Sequence, residues 1–149
     1  MVILKKILDF YINSSLHVAL SAFALVSMTQ YFFGVQGDFS LAFFAFFGTV
    51  VGYNFVKYDA IARLNKTEIK KELKAIVFLS FISLLACFYF FLQLSWMSKV
   101  SAFAFFGLTL LYTLPFFPNK QNARNWKGVK IYIVGITWVG VTVILPLVE

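Results

Sequence analysis

Ala75-Ile-Val-Phe-Leu-Ser-Phe-Ile-Ser-Leu-Leu-Ala-Cys-Phe-Tyr-Phe-Phe-Leu-Gln-Leu94 runs without a single formal charge. At about 1.5 Å of rise per residue, a helix of this length is roughly 30 Å long, the thickness of a bilayer's hydrocarbon core. Lipid offers no partner to a bare peptide group, so a helix, which satisfies its own backbone, is the element such a stretch adopts there. Four similar blocks flank it: Leu16 to Phe33, Phe39 to Val56, Val100 to Phe117 and Ile131 to Val148. With 149 residues, 61% hydrophobic and 13% charged, the chain carries more apolar side chain than a small globular core can hide. The pattern predicts an all-α, polytopic transmembrane helical bundle of five spans, with residues 1–149 forming one integral membrane domain.

The charges predict its orientation. Lys5 and Lys6 precede the first block; Lys57, Arg63, Lys66, Lys70, Lys71 and Lys74 follow the second; Lys120, Arg124, Lys127 and Lys130 follow the fourth. Only Lys99 falls on the other side. The positive-inside rule therefore predicts a cytoplasmic N-terminus and an external C-terminus in the cell (inner) membrane. A basic rim facing anionic lipid accounts for the net charge of +7 without a nucleic-acid partner. Met1 to Asn13 reads as a short interfacial helix, with Ile3, Leu4, Ile7, Leu8 and Tyr11 on one stripe and Lys5, Lys6 and Asp9 toward water. The first block is too long, and followed by too many others, to read as a cleaved signal peptide. Cys87 stands alone, which excludes an intrachain disulfide and a CxxC motif and leaves it a packing residue.

Polar residues near span ends are where chemistry is to be sought, because burying them in lipid costs free energy unless they pair or face a wet cavity. The second span ends Gly48-Thr-Val-Val-Gly52-Tyr-Asn-Phe-Val-Lys57-Tyr-Asp59. Gly48 and Gly52 form a GxxxG that permits close helix approach. Asn54, Lys57 and Asp59 either border one cytoplasmic cavity or do less: Lys57 snorkels, and Asp59 pairs in the headgroup layer. A second cluster runs from Tyr112 through Pro115 and Pro118, which end the fourth span, into a loop bearing Lys120, Arg124, Lys127 and Lys130. Four cations among amide side chains suit a phosphate or diphosphate; they also suit a plain topology determinant. Asn65 and Glu68 read as the capping residues of the helix leading into the third span.

A cytoplasmic N-terminus, a polar motif headed by Asn54, a Tyr112-x-x-x-Phe116 stretch leading to Lys120 and Arg124, and a glycine-bearing fifth span together resemble the N-terminal half of the UbiA superfamily of intramembrane prenyltransferases. The resemblance covers most of the chain. It implies a helical bundle around a lipid cavity in which aspartate-rich cytoplasmic motifs hold Mg2+ against an isoprenyl diphosphate. On this resemblance Asn54, Lys57, Lys120 and Arg124 form a diphosphate-binding rim and Asp59 is the candidate metal ligand. The family's first motif reads NDxxDxxxD, and counted from Asn54 its three aspartate positions fall on Phe55, Tyr58 and Ala62. Asp59 lies one residue out of register, about 100° around a helix, and takes an aspartate's place only where the backbone is irregular.

The second aspartate motif has no counterpart before Glu149, and the last block ends one residue earlier. The chain thus reads as part of a longer UbiA-like protein whose remaining half, or a partner helical subunit, completes the bundle; this stretch alone is not expected to catalyse prenyl transfer. The alternative is a non-catalytic membrane protein, either a structural subunit or a transporter half. For a transporter half, Gly135 and Gly140 hint at a broken fifth span. His17 reads as a residue that bonds a neighbouring helix rather than a base, Trp96 and Trp126 as interfacial anchors, and Trp138 as a packing or cavity residue. Phe43, Phe44, Phe46 and Phe47 either face lipid or shield a carbocation.

Overall fold

The computed structural model describes residues 2–35, 39–64, 71–113 and 128–149, with side chains at 3–35, 39–58, 73–113 and 128–149. The described residues form six helices: α1 (Val2–Asn13), α2 (Leu16–Phe32), α3 (Ser40–Leu64), α4 (Lys71–Gln93), α5 (Trp96–Thr113) and α6 (Val129–Val148). The fold of the described residues is all-α, and each of α2 to α6 overlaps one of the five apolar blocks. Apolar side chains cover the outside: along α4, Phe78, Phe81, Leu85, Phe88 and Leu92 are exposed, and only 11% of its apolar window is buried. Such a surface belongs in lipid, and the chain is a multi-pass membrane helical protein.

Fewer than five helices meet the length and composition of a span on their own. Among the described residues α3, α4 and α6 do, and α1 with α2 makes a fourth when the bent pair is counted as one. The difference from five has a physical source. α2 has 17 residues. The 18 described residues of α5 open with Trp96-Met-Ser-Lys99, so a charge and a hydroxyl in its first turn lower the mean hydropathy of that stretch.

The residues sort into two compact units, Met1–Ala24 with Phe39–Gln93, and Leu25–Asp38 with Leu94–Glu149. In the first, α3 and α4 form an antiparallel pair. Ser40 Oγ donates to Gln93 Oε1 at one end (2.7 Å), and Asn54 Nδ2 donates to Ser80 Oγ near the other (2.9 Å). Between them Phe90 stacks on Phe43 (5.3 Å between centroids) and Phe47 (5.9 Å), while Phe44 meets Phe91 at 6.0 Å. The phenylalanines of the second block are thus largely an interhelical packing device; offset aromatic pairs add attraction beyond their area. Gly48 faces Cys87, whose Sγ lies 3.6 Å from where a Cβ would stand, whereas Gly52 opens onto free space. Half of the GxxxG therefore meets α4, and Cys87 is a packing residue.

At the head of this unit α1 breaks from α2 with a bend of 59°. Ser15 takes a left-handed φ of 61°, a conformation that stops α1, and Ser14 and Ser15 are buried at the corner. Tyr11 tilts against His17 across it (5.8 Å).

In the second unit Ser95 caps α5: its Oγ accepts from Ser98 N at 3.2 Å. Ser95 N donates to the Glu149 carboxylate (3.1 and 3.2 Å), which sets a negative charge at the positive end of α5. The ring of Phe105 lies against the backbone of Gly140 where any Cβ would collide with it. The fifth apolar block is not broken, as its glycines hinted; it widens. Gly140–Ile144 forms a π-helical turn inside α6, between Val129–Val139 and Leu145–Val148.

Candidate functional site

α3 carries the candidate residues because its helix does not stop at the expected Val56 but continues through Leu64. Asn54 sits one turn from the basic end of the apolar run, on the side facing α4, and is 3% exposed. Its amide nitrogen donates to Ser80 Oγ, whose own proton goes to Ile76 O at 2.8 Å. The amide oxygen, Oδ1, is buried without a partner. An unpaired buried carbonyl costs about 1 to 3 kcal/mol, so this atom is either a tolerated defect or an acceptor for something that enters.

A groove of about 340 Å³ runs along the α3–α4 pair, bordered by Val51, Phe55, Val77, Phe81 and Leu84, with Asn54 and Ser80 as its polar points. Apolar walls with a few fixed polar groups are the usual form of a site for a largely apolar ligand.

Lys57 is placed differently from Asn54. Its Nζ donates to Asn13 O (3.2 Å) and Asn13 Oδ1 (3.5 Å), and Tyr58 OH donates to the same carbonyl at 2.8 Å. Nζ also lies 5.4 Å from the centre of the Tyr58 ring. Lys57 is therefore tied to α1, whereas Asn54 is tied to α4. Lys57 is a cation on the C-terminal carbonyl of α1, where a positive charge is favoured by the helix dipole. No sequence signal marked this pair, because the partners stand in different helices and Asn13 looked like an ordinary helix end.

The remaining candidates lie apart from these. Lys120, Arg124, Pro115, Pro118 and Trp126, and the capping pair Asn65 and Glu68, fall outside the described residues. α3 remains helical at Asp59, so the irregular backbone that would bring this residue into the motif's register is not found there; the Asp59 side chain lies outside the described residues. Among the described residues no three His, Cys, Asp or Glu side chains gather. A magnesium ion needs several oxygen ligands to replace its hydration, and Phe55 and Tyr58, at two of the family's aspartate positions, offer no carboxylate. The described residues do not fit that ion.

No known protein family, curated protein or solved structure matches the chain.

Proposed function

We propose that this multi-pass membrane protein holds an isoprenyl-type chain in the α3–α4 groove, as its resemblance to UbiA prenyltransferases implies. The supporting observation is the groove itself, about 340 Å³ of apolar wall with the buried Asn54 among its lining residues. Five spans with the N-terminus on the cytoplasmic face place Lys120 and Arg124 on the face where Lys57 ends its span, and there their cations bind the diphosphate. Lys57, held by Asn13, keeps an exposed ammonium. No prenyl-transfer step is assigned to these residues.

A photoreactive isoprenyl diphosphate in vesicles tests the reading. Crosslinks concentrated on α3 and α4, reduced by Asn54→Leu, support it; labelling spread evenly over all lipid-facing helices defeats it. Lys120→Ala with Arg124→Ala is expected to weaken the diphosphate probe while leaving the corresponding alcohol unaffected.

A second reading, a non-catalytic helical subunit, is favoured by a different observation. Asn54, Lys57 and Tyr58 each make a hydrogen bond that joins two helices. On that reading the same substitutions leave probe labelling unchanged.

A further inference from the structure

From Ile3 to Phe10 every residue of α1 is exposed, on its apolar and charged sides alike, and only the C-terminal end of the helix is held. Ile3, Leu4, Ile7 and Leu8 form one bare stripe, with Ile3 75% and Leu4 71% exposed. Lys5, Lys6 and Asp9 occupy the opposite arc. Burying that stripe in the protein would need a partner, and a span would have to take both lysines and the aspartate through hydrocarbon, at several kcal/mol. Two features of the fold turn α1 away from α2 instead. One is the 59° bend at Ser14 and the left-handed Ser15. The other is the double anchor on the Asn13 carbonyl, from Lys57 Nζ and Tyr58 OH. Lys57 marks the charged end of the α3 apolar run, so the anchor fixes the C-terminus of α1 at the depth where a bilayer's hydrocarbon gives way to headgroups.

We infer that α1 is an arm that binds an anionic lipid surface, lying along the headgroup–acyl boundary with its stripe in the acyl layer and its lysines among lipid phosphates. The Lys57–Asn13–Tyr58 latch sets its direction. The charge of the arm selects the occupant: two lysines against one aspartate favour anionic over zwitterionic lipid, each cation adding to the attraction.

The test places an environment-sensitive fluorophore at Ile7→Cys, on a Cys87→Ser background, with the whole protein reconstituted in phosphatidylcholine vesicles with or without phosphatidylglycerol. Emission shifted to the blue, and quenched by spin labels near the lipid carbonyls more than by labels at the chain ends, is the expected result. Lys5→Gln with Lys6→Gln is expected to lower the preference for phosphatidylglycerol by roughly tenfold or more. Lys57→Met with Tyr58→Phe, in protein that stays monodisperse in detergent, is expected to broaden the depth profile and raise label mobility. Quenching strongest at the chain ends makes α1 part of a bent span and overturns the inference, as does water-like emission. Crosslinking of the Ile7 position to a second copy, or no preference for the anionic lipid, overturns the choice of occupant. An unaltered profile in the Lys57/Tyr58 variant overturns the latch.

Discussion

The hydroxyl of Thr29 in α2 donates to the backbone carbonyl of Thr142 in α6 across 2.8 Å, with Leu25 O 3.0 Å away as its in-helix alternative. That carbonyl needs an outside donor because the residue four places on is Pro146, which has no N–H. The proline ring also crowds the turn before it, and α6 answers by widening: Leu145 N–H reaches back five residues to Gly140 O. One proline thus accounts for the wide turn, the orphan carbonyl and the threonine that satisfies it.

Thr29→Val is accordingly expected to destabilise the protein by about 0.6 to 1.7 kcal/mol, the range of interhelical hydrogen bonds in membranes. In a Pro146→Ala background the restored N–H serves Thr142 directly, and Thr29→Val costs less. A double-mutant cycle on unfolding in detergent measures the coupling; simple additivity of the two changes would contradict this account.

Gly140 lies at the start of the same turn. Since a Cβ there would overlap the Phe105 ring, Gly140→Ala is expected to cost about 1 to 3 kcal/mol of overpacking. Phe105→Leu in the same chain recovers part of it. Thermal unfolding in detergent distinguishes this from a backbone effect, which the smaller side chain at 105 would not relieve.

Asn54 and Ser80 are expected to respond asymmetrically. Ser80→Ala leaves both ends of a buried amide without partners and costs about 1 to 3 kcal/mol. Asn54→Leu removes the polar group itself, and the result stays within about 1 kcal/mol of the parent. Unfolding measurements on the two variants check the order. Asn54→Leu as the more damaging change would mean that Asn54 makes a further bond inside the protein.

The helices were legible because an uncharged run as long as a bilayer is thick has few other uses, and the span ends were legible wherever a charge closed the run. The joints between helices were not. Asn54 was visible as a buried polar residue, but nothing distinguished Ser80 from Ser83 as its partner. Lys57 reads from sequence as either a cavity-edge or a snorkelling cation, because its acceptor, Asn13, lies 44 residues away. Pro146 sits within three residues of the end of the last block, where a proline disturbs no pattern of apolar residues, so the wide turn it causes left no trace in hydropathy.

Orientation and span number can be read together from three reporters. With five spans, α2, α3 and α4 separate Lys5 from Lys99, and α5 separates Lys99 from Lys130. On a Cys87→Ser background, Lys5→Cys and Lys130→Cys are therefore expected to react with a membrane-impermeant maleimide from the cytoplasmic face, and Lys99→Cys from the other. The two helices that do not reach span length or hydropathy alone are the ones this labelling interrogates. If Lys99→Cys and Lys130→Cys react from one face, α5 does not cross; if Lys5→Cys and Lys99→Cys do, α2 does not. The first result would place Lys57 and the segment bearing Lys120 and Arg124 on opposite faces and remove the shared rim on which the proposed diphosphate binding depends; the second would leave those two together and separate only Lys5 and Lys6 from them.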